Sequence, residues 1–454
     1  MKSSVRAVLG LAGGALAGLA LMAASASAQT IAITDGRILT GSGIIENGTV
    51  IIRDGRIAAV GASVPVPAGA EVISAAGRVV APGFVAVDSG LGGNEVSSQP
   101  EANDLRQSSN SISAAFDLSW GLDPWSITLP VARLGGVTRA IVVPSHPGSS
   151  GGHDHNHDFA GLGASGHHEP GLFAGQAAVI HLAEGTEIIV QPRVAMVAPF
   201  GNAGANVAGG ARGALYTLLR ETFAEVRLYA RNRAAYDRGD VRALSLSRAD
   251  LEALVPVVEG RMPLIVTVHK ANDILMALRI AREENIRLIL DGAEEGWMVA
   301  DQIAAANVPV LLNALANLPG SFERRASSLE NAARLHAAGV LIAIKGNEGS
   351  VHRAREARYN AGNAVAHGLP YEAGIAALTV NPARIFGQQQ RFGAIAPGLE
   401  ADVVIWSGDP LEPLSQPVAI YIRGVAQPLY SRGLELRDRY RPGQQPGLPP
   451  AYRN

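Results

Sequence analysis

The stretch PLIVTVHKANDILMALRIAREEN (residues 263–285) joins a short apolar run directly to a helical pattern, and this unit recurs along the chain. Similar apolar runs, with helical stretches between them, are RAIVVP (139–144), IRLILDG (286–292), VPVLLN (308–313) and VLIAIKG (340–346). Near-continuous apolar runs are typical of parallel strands whose two faces are both buried. Repeated strand–helix–strand units therefore predict an α/β fold with a parallel sheet, most simply a closed (β/α)8 barrel of the TIM type.

Both ends of the chain show a different pattern, that of short strands with glycine and proline turns. TVIIRDGRIAAVG (49–61) alternates and turns at Asp54-Gly55, which is a hairpin signal, and GAIAPGLEADVVIWSGDP (393–410) is again strand-like. We expect the two ends to meet in a small β-sandwich domain. The predicted domains are residues 29–80 with 392–432 for the sandwich, 81–391 for the barrel, and 433–454 for a flexible tail.

The composition limits the classes of partner. The 454 residues carry 38 Lys and Arg against 40 Asp and Glu, so no basic surface for nucleic acid is expected. Cysteine is absent from the sequence, which excludes disulfides and thiolate metal sites.

Residues 1–28 have the pattern of a secretory signal peptide. Lys2 and Arg6 precede an apolar run from residue 7 to 24, and Ala26-Ser27-Ala28 forms a cleavage signal. The alternative is an uncleaved anchor, since the run is near the shortest length that spans a bilayer. Cleavage predicts a periplasmic or secreted protein that has no membrane contact once the signal has been removed.

Three quoted motifs carry a resemblance to a known family. They are VVAPGFVAV (79–87), LIVTVHKANDI (264–274) and NAVAHGLPYEAGIAALTVNPARIFG (363–387), and the closing segment 393–410 adds a fourth. Together they resemble the amidohydrolase superfamily, near its imidazolonepropionase-like branch. The resemblance implies a barrel that holds one or two divalent metal ions at the carboxyl ends of its strands, where the metal lowers the pKa of bound water toward ~7.

The metal ligands that the resemblance implies are only partly present. The His-x-His pair of the first barrel strand aligns with Asp88 and Gly90, while His269 remains on the fifth strand. The sixth-strand histidine position falls at or next to Asp291, and the eighth-strand aspartate falls near Asn347. The resemblance also implies a ligand from the fourth strand, a carboxylated lysine or a carboxylate, and no lysine is evident at that position. Lys270 and Lys345 lie at the rim, but neither is assigned this role.

Two interpretations of these positions stay open. In the first, Asp88, His269 and Asp291 bind one divalent ion, with zinc the first candidate, and Asp291, Asn347 and Glu348 form the catalytic set, in which Glu348 carries the proton. In the second, the centre is degenerate, binds no catalytic metal, and retains His269 as a hydrogen-bonded residue of the rim.

A histidine-rich segment is a second candidate metal site. Residues 145–171 contain His153, His155 and His157 among glycines and acidic residues, and they are predicted to be an exposed insertion at the barrel mouth. Histidine-rich tracts bind divalent transition metals, although a polar loop whose histidines merely titrate has the same composition.

The resemblance implies an exported hydrolase that acts on non-peptide C–N bonds, amide or cyclic amide, of a small-molecule substrate. The alternative is a catalytically degenerate barrel that acts as a periplasmic binding or metal-sequestering protein. The missing first-strand histidines and Asn347 favour that alternative. The sequence determines neither the substrate nor the oligomeric state.

Overall fold

The computed structural model describes residues 30–96, 99–107, 112–145, 171–316, 318–346 and 351–441. The predicted signal peptide, the loop histidines His153, His155 and His157, and the predicted catalytic residues Asn347 and Glu348 lie outside the described residues. Among the helices of the described part, none combines the length and the apolar character that crossing a membrane requires.

The chain begins with strands of a first sheet. They are β1 (Ile31–Leu39), β2 (Ile44–Arg53), β3 (Arg56–Gly61), β4 (Glu71–Ser74) and β5 (Val79–Pro82). The hairpin predicted at Asp54-Gly55 is confirmed, because β2 pairs antiparallel with β3 and Arg53 lies opposite Arg56. Both turn residues have positive φ, 52° and 74°, as this tight type of hairpin turn requires.

The second sheet is the barrel, in which every strand lies beside its neighbour in the chain. Its strands are β6 (Phe84–Ser89), β7 (Val137–Val142), β8 (Gly175–His181), β9 (Ile189–Pro199), β10 (Leu264–Val268), β11 (Leu288–Gly292), β12 (Val310–Leu312) and β13 (Ile342–Ile344). Inward side chains such as Val85, Ile265 and Leu311 belong to one buried cluster. Alternation along each strand therefore directs every second residue into the barrel.

One strand departs from the parallel arrangement. β8 pairs antiparallel with both β7 and β9. Only residues 182–188 separate β8 from β9, and a parallel crossover requires a dozen or more residues. The short connection therefore forces a hairpin, and the remaining strands run in one direction.

Helices pack against the barrel. They are α1 (Thr128–Arg133), α2 (Gly201–Val207), α3 (Arg212–Arg231), α4 (Arg233–Asp237), α5 (Arg248–Val258), α6 (Ala271–Glu284), α7 (Ala300–Ala305), α8 (Asn331–Ala337), α9 (Ala357–Ala366), α10 (Tyr371–Ala376) and α11 (Val380–Ile385). The apolar stripe of α3, which includes Leu215, Leu219 and Phe223, is fully buried in the largest core cluster.

The chain returns to the first sheet at its end, through β14 (Val403–Trp406), β15 (Pro417–Ile422) and β16 (Val425–Gln427), before helix α12 (Arg432–Tyr440). β14 pairs antiparallel with β5, so the two chain ends share one eight-stranded sheet. The predicted fold class, a barrel with a second β domain built from both ends, is confirmed. The segment predicted to be a flexible tail begins with helix α12.

Candidate active site

Four ionisable side chains come from the carboxyl ends of barrel strands. Asp88 lies in β6 and Asp291 in β11, while His269 follows β10 and Lys345 follows β13. Catalytic residues of such barrels lie at this end, because the loops after the strands shape the pocket. The sequence-predicted positions of Asp88, His269 and Asp291 are therefore all at one mouth.

Asp88 is placed by an irregular strand end. The register between β6 and β7 shifts between Ala86 and Ser89, and Asp88 has a φ of 50°. A bulge with a left-handed residue re-aims the side chain relative to a regular strand. Such a backbone costs about 1–2 kcal/mol for a residue other than glycine. The surrounding contacts of Asp88 must offset that cost.

Lys345 joins the two aspartates. Its Nζ donates to Oδ2 of Asp88 and to Oδ1 of Asp291, each at 2.7 Å. The Lys345 side chain is only 3% exposed and that of Asp291 only 7%, whereas that of Asp88 is 28% exposed. A second contact to Asp291 comes from the Thr267 hydroxyl at 3.3 Å. This ammonium thus holds two carboxylates that come from different strands of the barrel sheet, the edge strand β6 and the interior strand β11.

His269 belongs to a second group of contacts. Its Nδ1 pairs with Oε2 of Glu294, and its Nε2 lies 3.2 Å from Nη2 of Arg324. A guanidinium only donates hydrogen bonds, so Nε2 accepts from Arg324. Nδ1 therefore carries the ring proton and donates it to Glu294. This tautomer leaves the basic lone pair of the imidazole at Nε2, on the side of Arg324.

Glu294 is held as a carboxylate. Burial opposes its ionisation, but the hydrogen bond from His269 and the electrostatic effects of His269, Arg324 and Lys345 outweigh burial and lower the pKa of Glu294. Since Lys345 contributes to this shift, its ammonium and the His269–Glu294 pair share one electrostatic environment.

The loop that carries Arg324 is anchored by Glu295, the residue that follows Glu294. The Glu295 carboxylate accepts from the backbone N–H of Ala326 at 3.1 Å and from that of Ala271 at 3.0 Å. The Trp297 indole donates to the carbonyl of Ala326 at 2.8 Å. These bonds tie the loop after β12 to the start of α6, which places Arg324 beside Nε2 of His269.

The residues do not fit the divalent metal that the resemblance implies. Asp88 and Asp291 accept from an ammonium, which has no lone pair to give a metal. His269 is engaged with Glu294 and Arg324 instead of meeting the two aspartates. In the part of the chain that the structure describes, no three His, Asp or Glu side chains are grouped so that they could hold a metal ion.

Sequence reasoning did not identify Glu294 or Arg324, and it gave Lys345 no role. The only sequence signal for Glu294 is its place three residues after Asp291 at a strand end. Arg324 comes from the loop after β12, and no pattern in that loop distinguishes it from the adjacent Arg325.

Comparisons with known proteins agree with this architecture. Residues 260–427 match the sequence model of the amidohydrolase family, whose members generally use a divalent metal. The crystal structure of an amidohydrolase from Thermotoga maritima MSB8 is similar with a TM-score of 0.75 and 25% identity, over 88% of this chain and 100% of that one.

Two further proteins are similar to this chain, each over a different share of its length. Amidohydrolase tasK of Hapsidospora irregularis is 46% identical over 61 residues, which is 13% of this chain and only 6% of that protein. Molinate hydrolase shares the fold, with a TM-score of 0.52 and 19% identity, over 90% of this chain and 96% of that one. The family match over residues 260–427, the likeness to the Thermotoga structure and the shared barrel show that the chain is similar in sequence and in fold to members of the amidohydrolase superfamily.

Proposed function

We propose that this protein is a hydrolase of non-peptide C–N bonds, amide or cyclic amide, in which His269 is the base that activates water. A hydrolase-type function is supported by the family. The observation that carries the proposal is the pairing of His269 with Glu294 at the barrel mouth. A histidine oriented by a buried carboxylate is a common general base in hydrolases.

The protonation pattern suits this role. With Nδ1–H donated to Glu294, the Nε2 lone pair takes a proton from water while the water oxygen bonds to the substrate carbonyl carbon. The imidazolium then returns that proton to the leaving nitrogen as the C–N bond breaks. Glu294 stays ionised, because its pKa is lowered, and it stabilises the imidazolium between the two steps.

Arg324 has a second part in the proposal. Its guanidinium lies against Nε2 in the absence of substrate and is 28% exposed. When water and substrate occupy the space next to Nε2 of His269, the Arg324 guanidinium lies beside the reacting carbonyl. Positive donors aimed at a developing oxyanion typically contribute on the order of 10²–10³ in rate. The proposal thus needs no step through a metal ion, which agrees with the donor set.

The test is turnover of a panel of amides, lactams and esters by purified wild-type protein and the His269→Ala variant. We expect kcat/KM on the best amide to fall about 10²–10⁴-fold in the variant, the usual contribution of a general base. His336→Ala removes an exposed histidine of α8 and is the matched control. An unchanged rate in His269→Ala, or no turnover of any amide by the wild type, contradicts the proposal.

We also propose that the protein is exported after cleavage at Ala28. The support is the sequence pattern of residues 1–28, with its basic start, apolar run and small residues before Gln29. Intact-mass analysis of the protein recovered from the periplasm and from the medium tests this. A chain that begins at Gln29 supports export, whereas retention of residues 1–28 in the cytoplasm contradicts it.

A further inference from the structure

We propose that the Lys345 ammonium is a built-in cation that fills the space between Asp88 and Asp291 and keeps a divalent metal ion out of the barrel mouth. This inference goes beyond the proposed function and does not depend on it, because it concerns metal binding in the absence of substrate. It accounts for the disagreement between the family's general use of a metal and the residues of this chain.

Distances make the ammonium and a metal mutually exclusive. The two carboxylate oxygens each lie 2.7 Å from the same Nζ. A divalent ion bound by both would need metal–oxygen distances of about 2.0–2.6 Å, and it would thus lie where Nζ lies. The nitrogen also carries a positive charge, which repels a second cation in the same space.

Burial makes a cation necessary at this point. Lys345 and Asp291 have almost no exposed side-chain surface, and an isolated buried carboxylate is costly. The ammonium supplies a positive charge and one hydrogen bond to each of the two aspartates. Here the Lys345 ammonium balances the charge of the carboxylates. In family members that use a divalent ion, the metal has that role.

The backbone around Lys345 is fixed on both sides. Its N–H donates to the carbonyl of Leu312 at 3.0 Å, and its carbonyl accepts from the Asn360 side chain at 2.8 Å. Asn360 is fully buried. From the other edge of the sheet, the left-handed backbone of Asp88 turns its carboxylate toward the ammonium. Backbone contacts at Lys345 and the backbone conformation of Asp88 therefore hold the two side chains in position for their ion pair.

Removing the ammonium should convert the pair into a metal site. Lys345→Met keeps most of the side-chain volume but leaves two carboxylates that face one another. Oxygen ligands suit manganese, magnesium and calcium, whereas imidazole suits zinc, copper and nickel. Mn²⁺ is accordingly the probe that reports on the carboxylates with the least interference from the histidine-rich segment.

The experiment measures Mn²⁺ bound to the full chain by equilibrium dialysis, and by loss of the free-ion signal in electron paramagnetic resonance. The proteins are wild type, Asp88→Asn/Asp291→Asn, Lys345→Met, and Lys345→Met combined with both asparagine substitutions. The histidine-rich segment is present in all four, so it contributes an equal background.

We expect wild type and Asp88→Asn/Asp291→Asn to bind the same number of Mn²⁺ equivalents. Lys345→Met should bind one equivalent more, and this gain should disappear in the triple variant. Mn²⁺ should also raise the Tm of Lys345→Met but not that of wild type.

Two results overturn the inference. One is an equivalent in wild type that Asp88→Asn/Asp291→Asn loses, since the aspartates would then hold a metal beside the lysine. The other is a folded Lys345→Met that gains no equivalent. Should Lys345→Met fail to fold, the comparison of wild type with Asp88→Asn/Asp291→Asn still decides, because equal binding supports the exclusion and unequal binding refutes it.

Discussion

Gly292 and His269 lie against one another at the ends of neighbouring strands, and the imidazole of His269 fills the space that a β-carbon on residue 292 would need. Gly292 also has a φ of 93°, which side chains rarely adopt. The absence of a side chain at this position therefore lets His269 reach Glu294. The glycine after Asp291 is as much a part of the candidate site as the residues that carry its charges.

Gly292→Ala is expected to displace the His269 ring and to lower kcat/KM about 100-fold, as misplacement of a reacting group by 1 Å does. Gly398→Ala is the matched control, because Gly398 has a similar φ of 89° but open space around its α-carbon. Both variants should lose about 1–2 kcal/mol of unfolding free energy from backbone strain. Equal kinetics in the two variants would show that the contact with His269 is unimportant.

Arg139 of β7 links the barrel to the residues directly before β14 of the first sheet. Its guanidinium is fully buried and donates to Asp402 at 2.5 Å and to Glu400 at 2.6 Å. Arg139→Met should cost about 3–5 kcal/mol of unfolding free energy, because it leaves two carboxylates without their buried partner. Arg37→Met breaks an exposed pair with Glu46 and should cost about 0–1 kcal/mol. Urea denaturation measures both, and similar losses would rule out this role for Arg139.

The same contact makes stability depend on pH. Burial alone would raise the pKa of Glu400, but the charges and hydrogen bonds of Arg139 and Arg391 outweigh it, so the pKa lies below its ordinary value of 4.5. The unfolded state then binds more protons than the folded state in this range. The contribution of Glu400 is therefore complete above pH 4.5 and is lost as the pH falls through the lowered folded pKa.

Glu400→Gln should flatten the acid limb of the stability curve, measured as unfolding free energy between neutral pH and the acid transition. Glu46→Gln removes a carboxylate from the exposed pair with Arg37 and is the control. If Glu400→Gln and wild type lose stability in parallel below pH 4.5, the Arg139 contact is not the source of the pH dependence.

Local patterns were sufficient to predict the frame of the molecule. The apolar runs at 264–268 and 288–292 are strands β10 and β11, because burial on both faces demands continuous apolar residues. The same argument places His269 and Asp291 at strand ends, since the polar residue that ends such a run marks where the strand leaves the core. The antiparallel β8 was missed, because an apolar run has no direction.

The contacts of the candidate site could not be predicted from these patterns. The partners of Lys345 are 257 and 54 residues away in the sequence, and only closure of the barrel brings them together. A ligand set predicted from aligned positions assumes that each side chain faces the same centre. Here His269 faces Glu294, which lies after the strand end rather than in it, and the two aspartates face a lysine.

The last prediction concerns Asp250 of α5, which holds the loop after β6 that borders the barrel mouth. Its buried Oδ1 accepts from the backbone N–H groups of Ser113 at 2.9 Å and Ala115 at 2.7 Å. Asp250→Ala leaves both donors without this acceptor and should cost about 1–3 kcal/mol for each buried group. Asp240→Ala, in an exposed pair with Arg238, should cost about 0–1 kcal/mol. Hydrogen exchange locates the effect: the amides of Ser113 and Ala115 should lose protection in Asp250→Ala while those of β10 keep it, and uniform loss would indicate global destabilisation instead.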